Sequence, residues 1–367
     1  MAAHLSSMEI QENMALAPLT TLRVGGKARY FVRANTVEDV QTAVAFADSK
    51  KIPLFVLGGG SNVLISDNGW PGLALQIGIS GIDHSHERET IRLIVGAGEE
   101  WDALVAFCAT RNLAGIECLS GIPGSVGGTP VQNVGAYGQE VSQTIESVSV
   151  FDLIEKEITE MAAADCEFSY RSSIFNTHER GRYIILRVTY ELRHGGPPSL
   201  RYADLQNYFA ARNDAPTLAD VRQAILEIRG SKGMLITPGD PDSQSVGSFF
   251  KNPMLTTVQF NELSRRAKDR NLQVPNYPAL SEQKKISAAW LVENSGFAKG
   301  YVKGHAGISS KHALALINRG GASADEIIAL KDEIQERVEQ AWGIRLEPEP
   351  VLVGFQGKTS IPATLHE

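Results

Sequence analysis

Two glycine-rich segments of this chain could present backbone N–H groups to an anionic ligand. The first, residues 58–62 (Gly-Gly-Gly-Ser-Asn), follows a short apolar run, and the second, residues 120–138, contains six glycines and two prolines. Successive N–H groups without Cβ atoms form a nest that binds anions, typically phosphate. The first segment is not a dinucleotide fingerprint, because Val63 stands where G-x-G-x-x-G needs glycine. Each loop alone could be a tight turn, but two nests together fit a long ligand with a diphosphate.

Three further side chains could act on a reacting group. Arg171 has an always-charged planar fork that suits a carboxylate or an enolate. Glu349 stands between Pro348 and Pro350, which give its carboxylate a stiff backbone mount. Ser248 is a weak acid by itself, and no G-x-S-x-G elbow accompanies it, so a serine hydrolase is rejected. The alternatives are a surface ion pair for the arginine, an exposed edge-strand glutamate, and a small spacer between buried groups for the serine.

Composition excludes several classes of function. The chain has 367 residues and a formal charge of −7, which suggests two or three domains and a poor non-specific binder of nucleic acid. No run approaches the ~20 apolar residues that a membrane-spanning helix needs. Three widely spaced cysteines argue against a disulfide framework and fit a reducing cytosol. No H-x-x-x-H or C-x-x-C spacing occurs, so no metal site is expected. We therefore expect a cytoplasmic protein, without nucleic-acid or membrane partners.

Local patterns predict the elements that must position these groups. Thr36 and Asp39 form a capping box for a helix, as do Ser323 and Glu326 for a helix with an apolar stripe ending at Trp342. Further helices are predicted at 101–112, 218–230 and 286–296, and strands at 53–57, 63–65, 93–95, 148–151, 184–192 and 313–317. Strands and helices interleave without regular βαβ alternation, which predicts the α+β class. Residues 1–17 are predicted to be a loose polar arm.

Five motifs then carry a resemblance to a known family. They are VLGGGSNVL at 56–64, SGIPGSVGGTPVQNVGAYG at 120–138, FSYRSSIF at 168–175, GSFFKNP at 247–253 and LEPEP at 346–350. In this order, over roughly residues 18–355, they resemble the UDP-N-acetylenolpyruvoylglucosamine reductases, flavoenzymes of bacterial peptidoglycan synthesis. The segment 276–278 (Asn-Tyr-Pro) resembles the branch that keeps a tyrosine-bearing loop over the substrate.

The resemblance implies a fold and a division into domains. The fold would be a two-subdomain FAD-binding domain of the vanillyl-alcohol-oxidase (PCMH) type, followed by a C-terminal α+β substrate-binding domain. The first subdomain would comprise 18–72 with 343–367, the second 73–233, and the substrate domain 234–342. FAD would lie non-covalently between the subdomains, because no histidine flanks the glycine loops to tether it.

The resemblance also implies an activity and the residues that perform it. NADPH would reduce FAD, and the reduced flavin would reduce the enolpyruvyl ether of UDP-N-acetylglucosamine enolpyruvate in alternating, ping-pong turnover. The catalytic residues would be Arg171, Ser248 and Glu349. The cofactor-binding residues would be Gly58, Gly59, Gly60, Ser61, Asn62, Gly121, Ile122, Pro123, Gly124, Ser125, Gly128, Asn133 and Gly135. The substrate-binding residues would be Tyr170, Tyr202, Lys232, Asn252, Tyr277 and His312.

Two alternatives remain open at this point, and one expectation concerns assembly. Another flavin oxidase of the same fold, or a nucleotide-binding relative without catalysis, would share the glycine loops. The joint presence of the candidate arginine, serine and glutamate argues against the second alternative. No obligatory protein partner is expected, and the chain is expected to act as a monomer.

Overall fold

The computed structural model describes residues 8–87, 89–278 and 283–355; for residue 87 and residues 276–278 it describes the backbone only. The chain forms three units, of which the first two are each built on one main sheet and the third on two small sheets. The first two units share one large apolar core, and the third unit has a second core to which Leu22, Val24 and Leu64 of the first unit also contribute.

The first unit contains a mixed sheet with strand order β1-β2-β5-β3. Strand β5 lies parallel to both of its neighbours, whereas β1 is antiparallel to β2. The predicted capping box at Thr36 and Asp39 is present, and it starts the helix that covers the sheet. The elements of this unit are β1 Gln11–Ala15, β2 Lys27–Ala34, α1 Val37–Lys50, β3 Leu54–Leu57, β4 Val63–Ile65 and β5 Trp70–Ile77.

The first strand corrects one expectation. Residues 8–17 were predicted to belong to a loose polar arm, but Gln11–Ala15 pairs along β2 from Phe31 to Lys27. Nearly all side chains of this strand are exposed, so its sequence lacks the alternation of apolar and polar residues that would have predicted a strand. Backbone hydrogen bonds to an existing sheet edge hold it in place.

The second unit is an antiparallel sheet with strand order β12-β11-β13-β7-β6, and β8 pairs beside β13. Helices α2 and α4 pack against each other on one side of it. Trp101 at the start of α2 is fully buried and donates its indole N–H to Leu119 O at 3.1 Å. The elements are β6 Ile82–Glu87, β7 Thr90–Gly96, α2 Trp101–Thr110, β8 Leu113–Ala114, β9 Gly135–Ala136, β10 Gln139–Glu140, β11 Ile145–Asp152, β12 Ile158–Ala162, β13 Tyr183–His194, α3 Ala203–Phe209 and α4 Leu218–Ser231.

The third unit has two small antiparallel sheets, β14-β20-β19-β18 and β15-β17-β16. Its longest helix, α7, buries the predicted apolar stripe against them. Helix α6 is shorter than the predicted 286–296 at both ends, because Ile286 belongs to a strand and the helix already ends at Glu293, where Asn294 Nδ2 donates to Trp290 O. The elements are β14 Ser245–Ser248, β15 Met254–Leu255, α5 Thr257–Lys268, β16 Asn276–Pro278, β17 Lys284–Ile286, α6 Ala288–Glu293, β18 Val302–Lys303, β19 Ala306–Ile308, β20 Ala315–Asn318, α7 Ala324–Trp342 and β21 Val351–Val353.

The last strand joins the third unit to the first. Strand β21 pairs in parallel with β4, and Val351 N donates to Asn62 O at 3.0 Å. The chain therefore returns after α7 to the end of the first glycine loop. None of the helices in the described part of the chain combines the length and the apolar composition that a membrane span requires.

Candidate active site

A cavity of about 850 Å³ lies where the three units meet. Both glycine loops line it, and the candidate catalytic residues Arg171, Ser248 and Glu349 line it as well. Its size falls within the range of about 300–1,000 Å³ that is typical of ligand sites. The predicted catalytic residues and most of the predicted cofactor-binding residues therefore share one cavity.

The two glycine loops touch each other, and only glycine allows it. A Cβ atom on Gly59 would lie 2.6 Å from Gly124 Cα, and a Cβ on Gly58 would lie 2.7 Å from Ser125 Oγ. Ser125 Oγ is buried at this junction and makes no hydrogen bond within the described residues. A buried hydroxyl without a partner is costly, so this junction fits a ligand oxygen that would complete the bond.

The catalytic candidates meet through strand pairing. Glu349 N donates to Phe249 O at 2.9 Å, and this bond sets Glu349 beside Ser248 although about a hundred residues separate them. Arg171 Nε lies 3.0 Å from Glu349 Oε1, and their side chains are only 21% and 12% exposed. The Arg171 Nε–H makes no hydrogen bond within the described residues, so this contact is an ion pair without hydrogen-bond geometry. The guanidinium therefore has hydrogen-bonding capacity left for a ligand carboxylate.

Asn62 connects the glycine loops to this group. Its side-chain Nδ2 donates to Gln132 Oε1 at 2.7 Å and to Glu349 O at 3.4 Å. The amide thus ties the first loop to the second loop and to the backbone of the catalytic glutamate candidate.

Two predicted cofactor residues are not among those that line the cavity. Both backbone polar groups of Gly121 bond to side chains of the protein: its N–H donates to Asp102 Oδ1 at 2.6 Å, and its carbonyl accepts from Arg229 Nε at 3.2 Å. Asn133 is 1% exposed, and its side-chain Nδ2 donates to Ser169 O at 3.0 Å. Both residues are committed to protein partners, whereas the other predicted cofactor residues line the cavity.

Three of the predicted substrate residues line the cavity as cations or aromatic rings. Lys232 Nζ contacts Asp204 Oδ2 at 2.6 Å. Burial lowers the pKa of this lysine, but the hydrogen bond to Asp204 together with the influence of Asp204, Tyr137 and Tyr202 outweighs burial and raises it. The Tyr202 ring packs edge-on against Tyr137, with 5.4 Å between centroids. Burial, together with the charge of nearby cations, lowers the pKa of His312 to about 4.

Two other predicted substrate residues, Tyr170 and Asn252, are not among the residues that line the cavity. Tyr170 is hydrogen-bonded to Asn252, whose Oδ1 in turn accepts from Ala288 N at 2.9 Å. Lys285 Nζ stands 4.0 Å from the centre of the Tyr170 ring. Burial, and then the charge of Arg171, lowers the pKa of Lys285. The side chain of Tyr277 lies outside what the structure describes, so its prediction stands as made.

Four charged residues of the lining were not among the predicted site residues: Arg180, Arg229, Lys251 and Glu347. Arg180 lines the cavity, and its guanidinium has no ion pair or side-chain hydrogen bond among the residues described here. Burial lowers its pKa. Arg182, two residues later, pairs with Asp152 at 2.8 Å instead. No local pattern distinguishes the two arginines, because their difference lies in what surrounds them.

Comparisons with known proteins agree with this geometry. A family model described as an FAD binding domain matches residues 28–155, and the model of the UDP-N-acetylenolpyruvoylglucosamine reductase C-terminal domain matches residues 240–353. The UDP-N-acetylenolpyruvoylglucosamine reductase of Thermobifida fusca (strain YX) is 43% identical over 348 residues, which cover 93% of this chain and 97% of that relative. The chain belongs to this reductase family. The enzyme of the same name from Streptomyces coelicolor is 44% identical over 345 residues, covering 92% of this chain and 89% of its own.

A solved structure supports the fold of this reductase. The crystal structure of UDP-N-acetylenolpyruvylglucosamine reductase (MurB) from Thermus caldophilus matches with a TM-score of 0.64 at 24% identity, covering 94% of this chain and 99% of its own. The predicted combination of a PCMH-type FAD-binding domain with a C-terminal α+β domain is confirmed. Within the described residues, no group of three or more His, Cys, Asp or Glu side chains could hold a metal ion.

The residues present fit the FAD that the family implies. The two loops approach each other through glycine and both line the cavity, so a ligand there can reach their backbone without Cβ atoms in the way. The unpartnered hydroxyl of Ser125 lies at the same place. A diphosphate is a ligand that this donor set would satisfy.

Proposed function

We propose that this reductase acts on the enolpyruvyl ether of UDP-N-acetylglucosamine enolpyruvate where Arg171, Ser248 and Glu349 meet. The chain is a flavin-dependent oxidoreductase of peptidoglycan precursor synthesis, and FAD is its cofactor. The observation that supports the site assignment is the backbone hydrogen bond from Glu349 N to Phe249 O at 2.9 Å. It brings the serine and the glutamate together on one wall of the cavity that the glycine loops line.

The glycine loops and Ser125 would hold the FAD diphosphate. Bound and reduced, FAD supplies a hydride to the substrate, which no side chain can do. Backbone N–H groups would carry this binding, because neither loop contains a lysine. Asn62 keeps the first loop beside Gln132 and the Glu349 backbone.

The three catalytic candidates would act on the charge and the proton that the reduction requires. Arg171 would stabilise the negative charge that develops on the substrate carboxylate, since its fork has unused donors. Glu349 would be held next to this charge by its ion pair with Arg171. Ser248 would donate a proton to the substrate α-carbon; within the described part of the chain its hydroxyl makes no hydrogen bond that would occupy it.

The diphosphate of the substrate would bind where Lys232, Tyr202 and His312 line the cavity. Lys232 provides a positive charge there, and Tyr202 provides an aromatic surface with a hydroxyl. His312 Nδ1 accepts a hydrogen bond from Leu314 N at 3.1 Å, so the neutral ring carries its proton on Nε2. His312 would therefore serve as a neutral hydrogen-bond donor and not as a cation.

The proposal extends to the reductant, the assembly and the domain limits. NADPH would bind in the same cavity before the substrate, which gives ping-pong turnover. The chain would act in the cytoplasm as a monomer. Its units would divide as predicted, 18–72 with 343–367, 73–233 and 234–342, except that the first unit also takes in strand β1 and the whole of β5. Residues 356–367 of this division lie outside the described part of the chain.

An anaerobic absorption experiment tests the proposal. The flavin spectrum of the purified protein should bleach with NADPH and return when UDP-N-acetylglucosamine enolpyruvate is added. Bleaching without recovery would overturn the substrate, and a protein that takes up no FAD would overturn the cofactor site.

A serine pair tests the proton donor. Ser248→Ala should bleach normally but recover its colour about a hundredfold more slowly, within the range of loss for a general acid. Ser243→Ala is the matched control, because Ser243 lines the same cavity but donates its hydroxyl proton to the carbonyl oxygens of Thr237 and Asp240. Recovery of Ser248→Ala at the wild-type rate would reject the assignment.

A further inference from the structure

The turn that carries Arg171 is in an uncommon backbone conformation. Arg171 has φ of +54°, in the left-handed region that residues with a Cβ rarely adopt. Ser169 and Ser172 exchange two backbone hydrogen bonds around it, at 3.0 and 3.1 Å. Asn176 Nδ2 donates to the Arg171 carbonyl at 3.2 Å. A conformation of this kind persists only where the surroundings hold it, so the contacts of the turn decide where the guanidinium points.

Asn133 supplies one of these contacts from the second glycine loop. Its Nδ2 donates to Ser169 O at 3.0 Å and to Glu140 Oε2 at 2.9 Å. Its Oδ1 accepts from Ser142 N at 3.1 Å, and because a backbone N–H can only donate, this bond fixes the orientation of the amide. Both amide protons and the oxygen thus have protein partners, and the residue is 1% exposed.

A second bond joins the same two segments on the other side of the arginine. Ser173 Oγ donates to Val131 O at 2.7 Å. Ser169 precedes Arg171 by two residues and Ser173 follows it by two, so residues 131–133 hold the turn at both ends.

Glycine at position 135 leaves space for the guanidinium in this arrangement. A Cβ on Gly135 would lie 3.4 Å from Arg171 Nη1 and 2.7 Å from Glu140 Cγ. Asn133 therefore also holds the Glu140 side chain that packs next to Gly135. The segment from 131 to 135 therefore shapes the position of Arg171 through Val131 O, the Asn133 amide and the space at Gly135.

We propose that Asn133 is a positioning residue for Arg171, and that it does not contact the cofactor. It holds the Arg171 turn in its left-handed conformation and so directs the guanidinium to the substrate carboxylate. This inference rests on the proposed role of Arg171 in the reaction. It assigns to Asn133 a role different from the cofactor contact that the family resemblance implies.

Asn133→Asp tests the inference, because it keeps the size of the side chain and removes its two donors. The new carboxylate would face the Glu140 carboxylate and the Ser169 carbonyl, so both bonds would be lost. The FAD dissociation constant should stay within about threefold of wild type, because the amide has no free group for FAD. Reoxidation of the reduced flavin by the enolpyruvyl substrate should slow about a hundredfold, the cost of a ~1 Å misplacement of a reacting group.

Gln139→Glu is the matched control. Gln139 is another buried amide, 6% exposed, and its Nε2 donates to Glu117 Oε1 at 2.8 Å. The substitution places a carboxylate against a carboxylate in the same subdomain, on a side chain whose partners are Glu117 and Cys118 N and not the arginine turn. It should lower the melting temperature about as much as Asn133→Asp and leave the reoxidation rate unchanged.

A double-mutant cycle separates positioning from general damage. In an Arg171→Ala background, Asn133→Asp should slow reoxidation less than twofold further, because its effect passes through the missing side chain. Full additivity of the two effects would overturn the inference, as would an FAD dissociation constant raised more than tenfold by Asn133→Asp. If Asn133→Asp does not fold, Ser173→Ala removes the bond to Val131 O together with the bond that Ser173 Oγ accepts from Phe175 N. It should slow reoxidation about tenfold, and an unchanged rate would overturn the inference.

Arg171→Ala alone distinguishes the two proposals. If it reoxidises at the wild-type rate, the role of Arg171 in the proposed function is wrong and the inference fails with it. If it is slow but Asn133→Asp is fast, the proposed function stands and only the positioning role is overturned.

Discussion

Replacing Gly59 by alanine should separate the two glycine loops and weaken FAD binding strongly. The added Cβ would lie 2.6 Å from Gly124 Cα and 2.7 Å from its carbonyl carbon, both of them backbone atoms. Non-bonded carbon atoms rest about 3.5–4.0 Å apart, so the loops would have to move apart by about 1 Å. A backbone N–H at about 2.9 Å from a phosphate oxygen would then exceed hydrogen-bonding distance.

The expected magnitude follows from the bonds that this shift would break. A hydrogen bond to a charged group contributes about 1.5–3 kcal/mol, so the loss of one or two amounts to about 3 kcal/mol. This corresponds to an FAD dissociation constant about a hundredfold above wild type. Titration of the flavin-free protein with FAD, followed by the change in flavin fluorescence, measures this constant directly.

Gly230→Ala is the matched control for a glycine-to-alanine change near the same cavity. Its Cβ would meet only Leu235 Cδ1, at an ordinary 3.7 Å, and the position lies in helix α4. The control should bind FAD normally and gain up to about 1 kcal/mol in stability from its helix propensity. A Gly59→Ala protein that is folded by circular dichroism and binds FAD within threefold of wild type would refute the role of loop contact.

Three further outcomes are expected. Ser125→Ala should raise the FAD dissociation constant about tenfold, the value of one hydrogen bond, without lowering the melting temperature of the flavin-free protein; unchanged affinity would show that its unpartnered hydroxyl does not meet the cofactor. Burial raises the pKa of Asp102, but hydrogen bonds from Arg222 and a backbone amide lower it more. The Asp102–Arg222 pair therefore stabilises the fold above the ordinary pKa of an aspartate, and this stabilisation is lost as pH falls through the pKa of Asp102 in the folded protein. Arg222→Leu should therefore cost about 2 kcal/mol in urea unfolding at pH 7 and less at pH 3, and an equal cost at both would contradict this. Because the pKa of His312 falls to about 4, wild-type stability should decline as pH falls from about 6.5 to 4, and His312→Asn should show a smaller decline in the same unfolding assay.

The local elements and the family were readable from the sequence because their signals are short-range. The capping box at Thr36 starts helix α1, and the apolar stripe from Ile327 to Trp342 is buried along α7 as predicted. Both depend on residues within four positions of each other. The glycine loops could be predicted for a similar reason. A run of residues without Cβ atoms allows other groups to come close to the backbone, and this is visible in the sequence alone.

The neighbours of each functional side chain were decided by tertiary structure alone. Ser248 and Glu349 meet because Glu349 N bonds to the backbone of Phe249. About a hundred residues separate the two positions, so no local pattern in the sequence predicts this pairing. Two asparagines near the glycine loops look alike in sequence, yet Asn62 lines the cavity and Asn133 is buried among protein partners. The sequence by itself determines which types of residue are present to act in the reaction. Their geometry depends on long-range packing and hydrogen bonds, which only the folded chain creates.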